Sequence, residues 1–268
     1  MDYNQFYKES LKYLEDVANK KGLSKSELEK YFNPKTGNNQ NQVKGLKGVY
    51  KRMLFHAQNG TFKDTIIKFN NNYQLIKTIT FNFDYKKVLK QYTVQSLYDK
   101  LITELSLTKS ASTKSIPYKY ANSIISCCKF LLKYNNLNEL LKHFIKLEDM
   151  LPIYLSFELD EFGIPLACDF VKELDERFSF VKPDIHIRRI ANDLGLVEGN
   201  VSSDKFAYKV IVKFKEIAKE IKVTEYKLDK ILWLICTEDF YMHGTSKNNK
   251  DTKRNAYIKH IKTFIIKN

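Results

Sequence analysis

Hydrophobic positions recur at helical spacing along most of the chain. Phe6, Tyr13, Leu14, Val17 and Ala18 mark one face of a helix over 2–21, with a stop near Gly22. Ser24 and Glu27 have the spacing of a capping box, which predicts a short helix to about Phe32. Polar residues fill 33–42 and predict a loop, and a basic helix is expected over 43–58. The pattern then changes. Tyr73, Leu75, Ile79, Phe81 and Phe83 alternate with polar residues, so a small β-hairpin is expected over 61–83, although Ile76 and Lys77 interrupt the alternation. Helical spacing returns at 86–107, and the hydroxyl-rich stretch 106–115 reads as an exposed loop and a boundary.

Beyond Pro117 the helical pattern strengthens. Ala121, Ile124, Ile125, Cys128, Leu131 and Leu132 line one face of a helix running to about Asn135. Further helices are expected over 137–148 and 151–157. A tight turn at Gly163-Ile164-Pro165 is expected to lead into another helix that ends near Leu174. Ser203 to Lys222 and the segment around Leu228, Ile231, Leu232 and Ile235 follow as amphipathic helices, then a polar loop over 244–252 and a basic last helix. The expected fold is mainly α and two-lobed. Its segments are 1–110, 111–200, and 201–268 packing back on the N-terminal part.

Between the last two groups lies Pro183-Asp184-Ile185-His186-Ile187-Arg188-Arg189-Ile190-Ala191-Asn192-Asp193-Leu194-Gly195-Leu196. Asp184 reads as an N-cap, because a short carboxylate accepts the unpaired N–H groups of a first turn. Ile187, Ile190, Ala191 and Leu194 share one face, and Gly195 supplies a left-handed stop. From the physics alone this is a capped helix with an anion at the positive end of its dipole.

Composition narrows the function classes. The chain has 268 residues, 45 Lys+Arg against 31 Asp+Glu and a formal charge of +14, which suits a polyanionic partner. No apolar run is long enough to span a bilayer, and the N-terminus does not read as a signal peptide. Cys127, Cys128, Cys168 and Cys236 lack Cys-x-x-Cys spacing, which suits a reducing cytoplasm. No metal site, P-loop or dinucleotide fingerprint is present in the pattern.

The Asp184 segment resembles the catalytic-aspartate segment of the helix-hairpin-helix (HhH-GPD) DNA glycosylase superfamily, of the endonuclease III-like kind. That run is Asp-x-His-(Val/Ile)-x-Arg-(Val/Ile)-x-Asn-x-Leu-Gly-Leu. Asp184, His186, Ile187, Arg189, Ile190, Asn192, Leu194, Gly195 and Leu196 match it without a break. The family hairpin lies about 20 residues upstream, where this chain has Gly163-Ile164-Pro165, and the likeness covers about 117–196.

The resemblance implies a DNA glycosylase that turns a damaged or modified base out of the duplex and hydrolyses its N-glycosidic bond. Asp184 would be the catalytic carboxylate in a cleft it shares with the Gly163 turn. Gly163, Ile164, Leu166 and Arg189 would contact DNA, and Tyr118, Tyr120 and Trp233 are candidates for the base pocket. Pro165 removes one hairpin N–H donor. Bifunctional relatives place a Schiff-base lysine just after the hairpin glycine, where this chain has Leu166 and Ala167, so the resemblance implies a monofunctional enzyme. The four cysteines do not form the iron–sulfur loop of some relatives, and no cofactor is expected. The expected partner is double-stranded DNA and the expected state a cytoplasmic, nucleoid-associated monomer, acting in base-excision repair or in removing modified bases from phage DNA. A non-catalytic helix-hairpin-helix DNA-binding protein is the alternative, and a helical scaffold a further one.

Overall fold

The computed structural model describes residues 1–32, 43–57, 71–175, 177–243 and 250–265. In chain order its α-helices are α1 (Tyr3–Lys20), α2 (Lys25–Tyr31), α3 (Gly45–Ala57), α4 (Tyr73–Ile79), α5 (Tyr85–Gln91), α6 (Val94–Glu104) and α7 (Ile116–Leu131). They continue as α8 (Leu137–Leu147), α9 (Leu151–Glu158), α10 (Ile164–Leu174), α11 (Ile185–Asp193), α12 (Asp204–Glu220), α13 (Glu225–Thr237) and α14 (Lys250–Ile265). No strand occurs among the described residues. Local chemistry sets many of the helix starts. Asp2 accepts the N–H groups of Asn4 and Gln5 at 2.8 and 3.1 Å, and Ser24 and Glu27 close the capping box that their spacing implied.

The chain forms two compact units. One comprises 1–41 with 177–268, the other 42–176. In the first, α12, α13 and α14 all pack against α1. Its core joins Phe6, Leu14 and Tyr31 from the N-terminal end to Ile190, Phe214, Ile231 and Tyr257. In the second, α7 is the central helix: α3, α5 and α6 lie on it, and it buries Tyr120, Ala121, Ile124, Ile125, Cys127, Cys128 and Leu131. The loop expected to part the N-terminal region from the rest lies inside this unit. The Tyr98 hydroxyl bonds both the N–H and the C=O of Ser110 at 2.8 Å, and α6 packs on α7. The helix carrying Asp184 falls in the unit that contains both chain ends, and the Gly163 segment in the other.

The β-hairpin expected over 61–83 is corrected. Its first part, 61–70, lies outside the described residues, as do the loop expected at 33–42 and residues 244–249 of the loop at 244–252. The remainder is helix α4 followed by a turn. The helix buries Ile76 and Ile79 at a spacing of three, and the Thr78 and Thr80 hydroxyls donate back to Gln74 and Ile76 carbonyls. Phe81, Asn82 and Phe83 then take φ values of 50, 56 and 59°, a left-handed run that no strand accommodates. Asn82 N–H to Lys77 C=O at 2.7 Å and Asp84 N–H to Thr80 C=O at 2.9 Å close the turn. The alternation came from residues in this turn and from both buried and half-exposed positions of a short helix.

Candidate active site

Asp184 stands at the N-cap of α11 with extended backbone, φ −70° and ψ 173°. Its Oδ1 accepts the N–H of His186 at 2.9 Å and of Ile187 at 3.0 Å. Oδ2 takes no hydrogen bond among the described residues. The carboxylate is half-buried and only half committed to capping. At the other end of α11 Gly195, at φ +67°, makes the left-handed stop. Gly195 N–H bonds Asn192 C=O at 3.0 Å and Leu196 N–H bonds Ala191 C=O at 2.8 Å, the two bonds of a Schellman motif.

Asp229, Arg188 and Arg254 hold the segment around Asp184. Phe178, Phe180 and Val181 are buried, and the Lys182 N–H donates to Asp229 Oδ1 on α13 at 2.8 Å. Asp229 is itself buried, so this bond is largely shielded from water, where leaving a partner unmet is costly. Arg188 gathers three carbonyls: its Nε donates to Pro183 at 2.6 Å, and its Nη1 to Val201 and Ser203 at 3.2 Å each. On the far side Arg254 of α14, 4% exposed, brings Nη1 to 3.4 Å from His186 Nδ1 and to 2.7 Å from Asp251. An arginine has only donors, so in that contact it is the His186 ring nitrogen that accepts. Asp251 also reaches Arg189 at 3.4 Å, and the Arg254 guanidinium holds its carboxyl below the ordinary range.

Arg189 is therefore half-buried and engaged with Asp251 in this state. Trp233 is half-buried on α13 in the same unit, and its ring meets Tyr241 at 6.5 Å. Tyr118 and Tyr120 belong to the other unit. Tyr118 packs edge-on against Tyr98 at 5.5 Å. Tyr120 is 1% exposed, with its hydroxyl directed at Leu54 C=O, so it is a core residue with no face open to a base.

The hairpin of that unit also differs from the expected one. Helices α9 and α10 pack on each other across a turn at 159–163, not at 163–165. Phe162 N–H closes the turn onto Leu159 C=O at 3.2 Å, and Glu161 takes the left-handed conformation at φ +62°. Ser126 Oγ accepts the Asp160 N–H at 2.9 Å and Ser123 Oγ donates to its C=O at 3.0 Å, which anchors the apex to α7 and offsets the strain. Gly163, at φ −69°, is the N-cap of α10, and Ile164 and Pro165 are its first helical residues. A Cβ at Gly163 would meet nothing nearer than Pro165 Cδ at 3.7 Å, so this position does not require glycine.

As a phosphate seat the turn is reduced. Pro165 has no N–H, Leu166 N–H already bonds Gly163 C=O at 2.9 Å, and the Ile164 side chain is buried. Gly163 and Ile164 N–H groups find no acceptor among the described residues. Asp160 and Glu161 place carboxylates at the apex, and Lys119 offsets Glu161 at 3.1 Å. None of Ile164, Pro165, Leu166 and Ala167 in the first turn of α10 is a lysine, and Lys172 is paired with Asp169 at 2.6 Å.

The residues that hold the Asp184 segment, Asp229, Arg188 and Arg254, were not singled out by the sequence. Arg188 sits inside the matched segment and could have been marked there; nothing in the local pattern of Asp229 or Arg254 marks either. All four cysteines are buried and none is in a disulfide, and no helix among the described residues is long and apolar enough to cross a membrane.

No protein-family model and no curated protein sequence matches the chain. Among solved structures it is similar to the 8-oxoguanine DNA glycosylase of Thermotoga maritima, with a TM-score of 0.50 and 17% identity over 84% of this chain and 96% of that one. The likeness is one of fold: the chain shares the helical architecture of that structure.

Proposed function

We propose that the chain is a DNA N-glycosylase that removes a damaged or modified base by hydrolysis and leaves an abasic site. The observation that carries this reading is the half-committed carboxylate of Asp184, set at a helix start in a fold shared with a DNA glycosylase. Breaking the bond between C1′ and the base nitrogen leaves its electron pair on the base and builds positive charge on the sugar, as in other glycoside cleavages. Oδ1, tied to two backbone N–H groups, fixes the carboxylate in place. Oδ2 faces the developing cation and orients the water whose oxygen bonds C1′. The water loses one proton, to Asp184 or solvent, and the departing base takes one up from solvent, so that the products are the abasic sugar and the neutral base.

The missing lysine in the first turn of α10 supports simple hydrolysis without strand cleavage. Gly163 and Ile164 N–H groups and Arg189 are the candidate phosphate contacts, with Arg189 exchanging Asp251 for the DNA backbone. The substrate base is either a lesion, in repair, or a modified base of viral DNA, in defence; both are the same reaction at the same carboxylate. Mass spectrometry of bases released from damaged and from phage-modified DNA tests the proposal. A base released by the wild-type chain and not by Asp184→Asn supports it. No release from any substrate, with DNA binding intact, favours a binding protein without chemistry. A borohydride-trapped adduct contradicts the monofunctional assignment.

A further inference from the structure

Helix α13 carries Tyr226, Lys230 and Trp233 at a spacing of four and three, which puts them on one stripe. The Lys230 ammonium lies 6.0 Å from the Tyr226 ring centroid, 5.1 Å from Trp233 and 5.4 Å from Tyr241. Tyr241 is 50% exposed and stands edge-on to Tyr31 of α2 at 5.0 Å, while the Tyr31 hydroxyl accepts the Met242 N–H at 3.0 Å and fixes the segment after α13. Beside it Lys227 lies 5.1 Å over the Phe32 ring. The result is a patch of half-exposed aromatic rings interleaved with ammonium groups.

Trp233 packs on the core of this unit, which includes Tyr31 and Phe32, whereas Tyr226 and Tyr241 lie outside that core and Tyr241 is exposed. Lys230 already lies beside the three rings, so a second cation is disfavoured next to it. Flat rings next to ammonium groups match a ligand made of flat rings next to phosphates. In a duplex the base faces are stacked on each other; in an unpaired strand they are open. The same helix α13 also supports the Asp184 segment, because Asp229, the residue before Lys230, accepts the Lys182 N–H at 2.8 Å.

The geometry points to a stacking platform for unpaired DNA, formed by Trp233 and Tyr241 with Lys230 and Tyr226. It rests on the reading that the chain acts on DNA. It extends that reading by giving a strand opened at the target base a place to lie.

Trp233 is the sole tryptophan of the chain, so its fluorescence reports on the platform alone. The wild-type chain is titrated with an undamaged oligothymidylate of about fifteen nucleotides, and with an abasic sugar–phosphate oligomer of the same length. Both titrations are followed by tryptophan emission and by anisotropy of a dye on the oligomer. The expected result is binding of both, with emission quenched by the thymidylate alone. Tyr241→Ala, at an exposed position, is expected to weaken thymidylate binding roughly five- to a hundredfold, Tyr241→Phe to restore it, and neither to change abasic binding more than about twofold. Binding without quenching, equal quenching by both oligomers, or equal weakening of both by Tyr241→Ala overturns the platform and leaves the glycosylase reading standing. No binding of any DNA overturns both. Base release enters none of these readouts, so loss of activity in Asp184→Asn leaves the test intact.

Discussion

Asp184 Oδ1 accepts the His186 N–H at 2.9 Å, and this bond separates the two oxygens of the carboxylate into different roles. One oxygen caps the helix and the other is left for chemistry. Asparagine caps as well as aspartate does, and alanine does not. Asp184→Asn is therefore expected to unfold within about 0.5 kcal/mol of wild type, and Asp184→Ala to lose about 1 kcal/mol. Denaturant unfolding of the three chains checks this. Equal losses in both variants would mean that the negative charge, and not the cap, stabilises α11.

The Lys182 N–H to Asp229 bond makes a second prediction. Asp229→Ala leaves a backbone donor unmet where it is largely shielded from water, which costs about 1–3 kcal/mol. The segment before Asp184 should loosen, with amide exchange at 182–187 rising more than in α7. A variant with unchanged exchange there would show that Arg188 and Arg254 hold the segment without Asp229.

In the other unit Glu173 of α10 meets Arg52 at 3.0 Å and His56 Nε2 at 3.2 Å, both on α3. Burial pushes its carboxyl up, but His56, Arg52 and Lys172 together pull it further down, so the net position is below the ordinary 4.5. A depressed carboxylate contributes stability that is present above the unfolded pKa and lost as pH falls through the folded one. Glu173→Gln should be the less stable chain at neutral pH, by about 1 kcal/mol given that a third of the side chain is open to water, and the gap should close as pH drops below 4.5. Thermal unfolding against pH reads this directly. A gap that persists in acid would assign the loss to packing.

DNA binding through phosphate contacts releases counterions, so affinity should fall steeply with salt. Three contacts or more predict a loss of at least about tenfold across a fourfold rise in salt, and Arg189→Ala should lower the slope by about one. Anisotropy titrations at a series of salt concentrations give that slope. A flat dependence would remove the backbone-binding part of the account.

How much could be read in advance differs by element. Helix α11 was fully legible, since its cap, its buried face of Ile187, Ile190 and Ala191 and its Gly195 stop are all local chemistry. Its supports were not: Asp229 lies 47 residues from Lys182 and Arg254 lies 68 from His186, and no local pattern encodes such pairs. The hairpin turn was displaced because Gly163 drew attention, whereas the left-handed residue is Glu161, held there by serines of α7. The segment at 73–83 misled because alternation over so short a run fits buried and half-exposed helix positions followed by a turn equally well. The boundaries of the units were hidden because polar loops occur within units as well as between them.

The central claim is that Asp184 performs the chemistry while the rest of the chain binds and orients. Single-turnover base release by wild type and Asp184→Asn, on the substrate that mass spectrometry identifies, tests it most directly. The account predicts a loss of at least about a hundredfold in the rate of release for Asp184→Asn, with its affinity for the same DNA within about threefold of wild type. Release by Asp184→Asn at a rate near that of wild type would contradict it.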